Sequence, residues 1–176
     1  YHSANLFLSP SSMSYTEFDG KKAGWDIANN ILLGNGVILL DTDFHDRTFQ
    51  EAKTDAIAIL DYLHECGYIA SETKFTGQGF QLLITKHDMH LPRVNPKARF
   101  NLYREKREPI LKDLQERGVQ VDAEILLDAK RITRSLKTVN SKNNVICTRV
   151  RDLEGFTESD VERLWLEDIT PVTRES

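Results

Sequence analysis

Residues 37–46 read VILLDTDFHD, an apolar run that ends in two aspartates one residue apart. Val37, Ile38, Leu39 and Leu40 are four consecutive large apolar side chains, which predicts a strand buried on both faces, and Gly34 and Gly36 supply the turn before it. Asp41 and Asp43 follow at its end. Side chains alternate along a strand, so residues i and i+2 point the same way, roughly 7 Å apart. Two carboxylates held side by side where a buried strand meets water repel each other unless a cation lies between them, and hard oxygen ligands suit magnesium or manganese. A plainer reading has Asp41 and Asp43 begin a turn and Asp46 cap a helix starting near Arg47. A short DxD by itself leaves both readings open.

C-terminal to the aspartates, Thr48 to Cys66 carries Phe49, Ala52, Ala56, Ile59, Leu60 and Leu63 at helical spacing, with Gly67 as the stop signal. Tyr68 to Phe75 and Phe80 to Thr85 read as two strands around Thr76-Gly77-Gln78-Gly79, a turn whose glycines can take positive φ and gather backbone N–H groups. His87 to Pro96 reads as an irregular connection, and Lys97 to Arg117 as a second amphipathic helix that Pro109 breaks or restarts. Gly118 closes that helix. Val119 to Val121 is expected to form a short strand leading to Asp122, followed by a turn or helix through Asp128 to Arg134, and Val145 to Val150 another strand. Thr157 and Asp160 have capping-box spacing for a short terminal helix that buries Val161, Leu164 and Trp165. On the other side of the central strand, Tyr1 to Met13 reads as an extended segment, Asp19 to Gly24 as a polar turn, and Trp25 to Leu33 as a short strand or helical turn. This order of elements predicts an α+β domain with a mixed or antiparallel sheet flanked by helices.

With 176 residues the chain fits one domain, or a domain over 1–150 with an acidic appendage over 151–176. Hydrophobic residues at 40% and charged residues at 28% are ordinary for a globular protein, which argues against wholesale disorder. No apolar run approaches the ~20 residues of a membrane helix and no signal-peptide pattern opens the chain, so a soluble protein of cytoplasm or nucleus is expected, without a membrane partner. Cys66 and Cys147 cannot by themselves make a disulfide framework or a four-ligand zinc site, and His87 and His90 read as loop histidines. The net charge of -4 argues against non-specific coating of nucleic acid. Its distribution is uneven: Lys130, Arg131, Arg134, Lys137, Lys142, Arg149 and Arg151 run without an intervening acid, while the segment from Asp152 onward is acidic. That basic run is a solvated surface or a local phosphate-binding one.

Three separated stretches together resemble the catalytic small subunit of the archaeo-eukaryotic DNA primases. YHSAN, KKAGW and VILLDTDFHD resemble that family's tyrosine-serine segment, lysine-glycine-tryptophan turn and metal-binding DxD strand. KFTGQGFQLLI resembles its nucleotide-binding hairpin, and VDAEILLDAKRITRSLKTVNSKNN its segment with a third metal aspartate, a basic helix and a phosphate-binding turn. The resemblance implies a primase-polymerase catalytic core, RRM-like, in which Asp41, Asp43 and Asp122 hold Mg2+ or Mn2+. Asp128 is the alternative third ligand, though it more naturally caps the helix carrying Lys130, Arg131 and Arg134. The resemblance also implies that Thr76, Gly77, Gly79, Gln81, Arg134, Asn140 and Lys142 meet the nucleotide. Gln81 and Asn140 stand where the family has histidines, and the hairpin lacks the family's arginine. Glutamine and asparagine donate hydrogen bonds to phosphate but add no positive charge, so triphosphate affinity should fall.

The function implied is a nucleotidyltransferase that makes short primers from nucleoside triphosphates on single-stranded DNA, in a shallow, open cleft. A large primase subunit or another replication protein would be its partner. The alternative is a catalytically weak or inactive primase-like subunit that binds within a replication complex. A metal-dependent nuclease of another family has only the DxD in its favour.

Overall fold

The computed structural model describes residues 2–3, 34–42, 47–129 and 131–165. The elements in order are β1 (His2–Ser3), β2 (Ile38–Asp41), α1 (Phe49–Glu65), β3 (Glu72–Phe75), β4 (Phe80–Ile84), α2 (Pro96–Glu105) and α3 (Glu108–Glu116). They continue with α4 (Ala123–Leu127), β5 (Ile132–Thr133), β6 (Val139–Asn140), β7 (Val145–Ile146), β8 (Thr148–Arg149) and α5 (Glu158–Arg163). The fold is α+β. Its main sheet has the order β2-β4-β3-β8 with every pairing antiparallel, and β1 with β5 and β6 with β7 form two smaller antiparallel pairs. The expected readings of Asp19 to Gly24, Trp25 to Leu33 and most of Tyr1 to Met13 lie outside the described residues, as do Asp43, Asp46, Lys130 and the end of the acidic segment. Among the described residues no helix is long and apolar enough to cross a membrane.

Local chemistry sets the helix ends. Thr48, not a residue before Arg47, caps α1: its hydroxyl accepts from Glu51 N at 3.2 Å, and the Glu51 carboxylate accepts from Thr48 N at 2.8 Å. Those bonds to the ionised form hold the Glu51 carboxyl below its ordinary value. The other end closes on Gly67 at φ +76°, where Gly67 N donates to His64 O and Tyr68 N to Leu63 O, the paired bonds of a left-handed cap. Gly118 does the same for α3, with Val119 N on Leu114 O at 2.9 Å. Pro109 falls in the first turn of α3, so the expected long helix is two helices, with Asn95 capping the first.

Alternation assigns the faces. Ile38, Leu40, Phe80, Leu82 and Ile84 meet Ala52, Ala56, Ile59 and Leu63 of α1 in the core. Phe49, Phe75, Phe80 and Phe156 form an aromatic cluster with ring centroids 5.2–6.0 Å apart. Leu153 and Phe156 therefore belong to the same core as residues before 150.

Four expectations are corrected. Val119 to Val121 form no strand; Asp122 N makes a single bond to Asp41 O at 2.9 Å before α4 begins. The turn or helix expected after Asp122 is helical only over α4; Asp128 ends that helix rather than capping a basic one, and residues 132–133 are drawn into pairing with β1. The strand expected over Val145 to Val150 breaks at Cys147, whose N–H and C=O bond to Thr138 O and Lys137 N while the next two residues join the main sheet. Trp165 is half exposed, because it pairs with Val145 at the rim of the β6–β7 pair instead of turning inward.

Behind β2, the Gly34–Val37 turn is held from the helices. Arg107 is fully buried, and its guanidinium donates to Val37 O, Asn35 O and Tyr103 O at 3.0–3.3 Å while lying 3.5 Å over the Tyr103 ring. Arg99 donates to Leu91 O at 2.7 Å and also to Gly34 O. His87 bonds through Nε2 to Gly36 O at 3.0 Å, so that nitrogen carries the proton, and its buried Nδ1 has no hydrogen-bond partner among the described residues. Burial pushes the imidazole below its ordinary value, helped by Arg107 and opposed by Gly36 O and Asp88. A histidine with a depressed folded pKa takes its proton more readily when unfolded, so its contribution is present above the unfolded value of about 6.5 and is lost as pH falls below it. Thermal stability should decline from about pH 7 to about pH 5, and His87→Gln should flatten that decline. Parallel profiles for the two proteins would remove His87 as the cause.

Candidate active site

The parity that sends Leu40, Phe80 and Leu82 toward α1 turns Asp41, Gln81, Lys74 and Arg149 to the opposite face, where register sets them in one row across the sheet. The first three are buried, so each needs a partner. Gln81 Nε2 donates to Asp41 Oδ2 at 2.6 Å, and its Oε1 accepts from the Thr133 hydroxyl at 2.8 Å. Lys74 donates to Arg134 O at 2.8 Å and pairs with Glu72 at 3.2 Å. The paired strand β5 thus reaches the sheet through a side-chain relay that ends on the Asp41 carboxylate.

The hairpin between β3 and β4 is closed from within and clamped from outside. Thr76 spends both its N–H and its hydroxyl on Gly79 O, at 2.9 and 3.2 Å. Asn140 Nδ2 donates to Thr76 O at 3.1 Å, and Asn143 Nδ2 to Gly77 O. Gly77 has φ +95°, and a Cβ there would lie 3.0 Å from side-chain atoms of both asparagines. Asn140 Oδ1 in turn accepts from Lys142 N at 3.1 Å. Lys142 is exposed, and Arg134, half-buried, donates to Val139 O at 3.2 Å.

Asp122 sits beside the outer edge of β2, joined to it by the bond from Asp122 N to Asp41 O. Its Oδ1 caps α4 by accepting from Ile125 N at 3.0 Å. Asp41, Thr42, Arg47, Gln120, Val121 and Asp122 line an open pocket of about 260 Å³. Asp128 is at the far end of α4, facing a different pocket and paired with Arg131 at 3.6 Å, so it is not brought to Asp41. Among the described residues no group of three or more histidine, cysteine, aspartate or glutamate side chains is placed to hold a metal, and Asp43 lies outside them. Two carboxylates on one pocket remain, a hard-oxygen donor pair of the kind magnesium and manganese accept.

The chain matches no family model and no curated protein. Its chemistry is therefore read from the residues themselves. The end of β2, the 76–79 hairpin and residues 133–143, far apart in the sequence, are joined by hydrogen bonds, Asp41 to Gln81 to Thr133 on one side and Thr76 to Asn140 on the other. Gln81 and Asn140 are buried and committed to internal bonds, whereas Arg134 and Lys142 stand nearer solvent. Thr133, Lys74, Asn143 and Arg47 were not expected at the site. Lys74 lies at the parity opposite to core-facing Phe75, and Thr133 and Asn143 are placed by pairing across the fold, so none of the three carried a signal in the sequence.

Proposed function

We propose that this chain is the catalytic domain of a primase-type nucleotidyltransferase, with a primase-polymerase core, acting on nucleoside triphosphates and a single-stranded DNA template. The observation that carries the reading is the set of bonds just described: the aspartate that ends the central strand, the glycine hairpin and the asparagine-lysine turn resemble family motifs separately and are linked through Gln81, Thr133 and Asn140. Asp41 and Asp122, with Asp43, would hold Mg2+ or Mn2+, which suits their hard oxygen donors. When bound, such ions lower the pKa of an attacking hydroxyl and neutralise leaving phosphates. Gln81 and Thr133 orient the Asp41 carboxylate; the 76–79 hairpin, stiffened by Asn140 and Asn143, together with Arg134 and Lys142, offers amides and cations to a triphosphate. A large primase subunit or another replication protein fits the net charge of -4, which gives the chain little general attraction for a template strand.

One observation favours the second reading, an inactive primase-like subunit. The amides of Gln81 and Asn140, at the family's histidine positions, are spent inside the protein and bring no charge to a phosphate. Calorimetry with Mn2+ and a nucleoside triphosphate, followed by primer synthesis on single-stranded DNA, separates the two when run on the wild type and Asp41→Ala. Metal-dependent nucleotide binding and primer formation, both lost in Asp41→Ala, are the expected result. Metal binding without nucleotide or product would leave the subunit reading, and no metal binding would remove the carboxylate site itself.

A further inference from the structure

We infer that Arg47 contacts a backbone phosphate of the DNA strand whose 3′ end lies at the carboxylates, on the side of β2 away from the incoming nucleotide. The inference rests on the nucleotidyltransferase reading. Asp41 has neighbours on two sides: across the β2–β4 pairing lie Gln81 and the hairpin, with Arg134 and Lys142 beyond, and on the outer edge lies the pocket of about 260 Å³. Among the described residues, no hairpin residue lines that pocket and Arg47 is the one cation that does. A joining reaction brings together two phosphate-bearing reactants, and the carboxylates are flanked by positive charge on both sides. If the hairpin side takes the triphosphate, the Arg47 side is left for the strand end.

The side chain is prepared for that role. Arg47 is half-buried, and its Nη2 is paired with Asp55. The same Asp55 oxygen accepts from Gln120 N at 3.2 Å, which ties α1 to the segment that carries Asp122. A guanidinium has five donors in a rigid fork, so one ion pair fixes its direction and leaves donors for a phosphate.

The test uses the whole chain, Mn2+ with a nucleoside triphosphate, and a primer–template DNA duplex, comparing the wild type with Arg47→Gln and Asp55→Asn after their melting has been checked. Losing one phosphate contact should weaken duplex binding about tenfold and reduce the slope of log K against log salt by about 0.9. Mn2+-dependent nucleotide affinity should stay as in the wild type. Asp55→Asn breaks the ion pair but keeps the guanidinium, so it should retain the wild-type slope. A salt slope in Arg47→Gln equal to that of the wild type would overturn the inference, as would equal losses of nucleotide and duplex. Either result with nucleotide still bound by the wild type leaves the nucleotidyltransferase reading in place; a wild type that binds no nucleotide removes both.

Discussion

Arg107→Leu is expected to lower stability by about 3 kcal/mol, a fall of about 6–12 °C in melting temperature for a chain of this size. Arg107 is a buried cation that donates to three carbonyls, those of Val37, Asn35 and Tyr103. Burial pushes its pKa down, yet a guanidinium stays ionised, and the carbonyl oxygens and the Tyr103 ring take the place of water around it. Replacing buried charges by apolar side chains can be neutral when the partners leave as well. Here they remain. The Asn35 carbonyl loses the Arg107 donor, Val37 O loses two guanidinium donors while keeping the Tyr103 hydroxyl at 2.8 Å, and the stacking on Tyr103 is lost. Urea and thermal unfolding would measure the change, and a melting temperature within about 2 °C of the wild type would show that the turn finds other donors. Arg107→Lys should recover little, since one ammonium cannot span three carbonyls in the fork geometry.

Gly77→Ala is expected to cost about 2–4 kcal/mol, from two sources that add. The backbone at φ +95° is one an L side chain rarely adopts, and the new methyl would press against Asn140 and Asn143 at 3.0–3.1 Å. Neither asparagine can yield cheaply, because both also bond to the turn they would be pushed from. Amide hydrogen exchange should therefore rise at residues 76–80 and 140–145 together, beyond the global loss of stability. A rise confined to the hairpin would mean that the asparagine clamp moves aside freely.

The sequence was most informative where one local cause decides the outcome. The α1 helix, its glycine stop, the 76–79 hairpin, the break at Pro109 and the Thr157 capping box all follow from spacing and side-chain chemistry within a few residues. The terminal helix forms where expected but ends at Arg163 with Val161 and Leu164 only half-buried, and Trp165 did not turn inward, since its environment depends on Val145. Failures concentrate between 119 and 150, where elements of two residues are created by pairing with distant partners and carry too few side chains for any period to show. At the candidate site, Asp41 and Asp122 were legible and do share a pocket. What Gln81 and Asn140 bond to was not, because register across the sheet and the turn near residue 143 decide it.

The aromatic cluster also bears on how the chain is made. Phe49, Phe75 and Phe80 leave the ribosome early, and Phe156, the fourth ring, comes last. At about 5–20 residues per second, the roughly 76 residues between Phe80 and Phe156 take about 4–15 s to synthesise. During that interval the three rings lack the face that Phe156 covers, a surface that invites self-association or capture by a chaperone until Phe156 arrives to shield it.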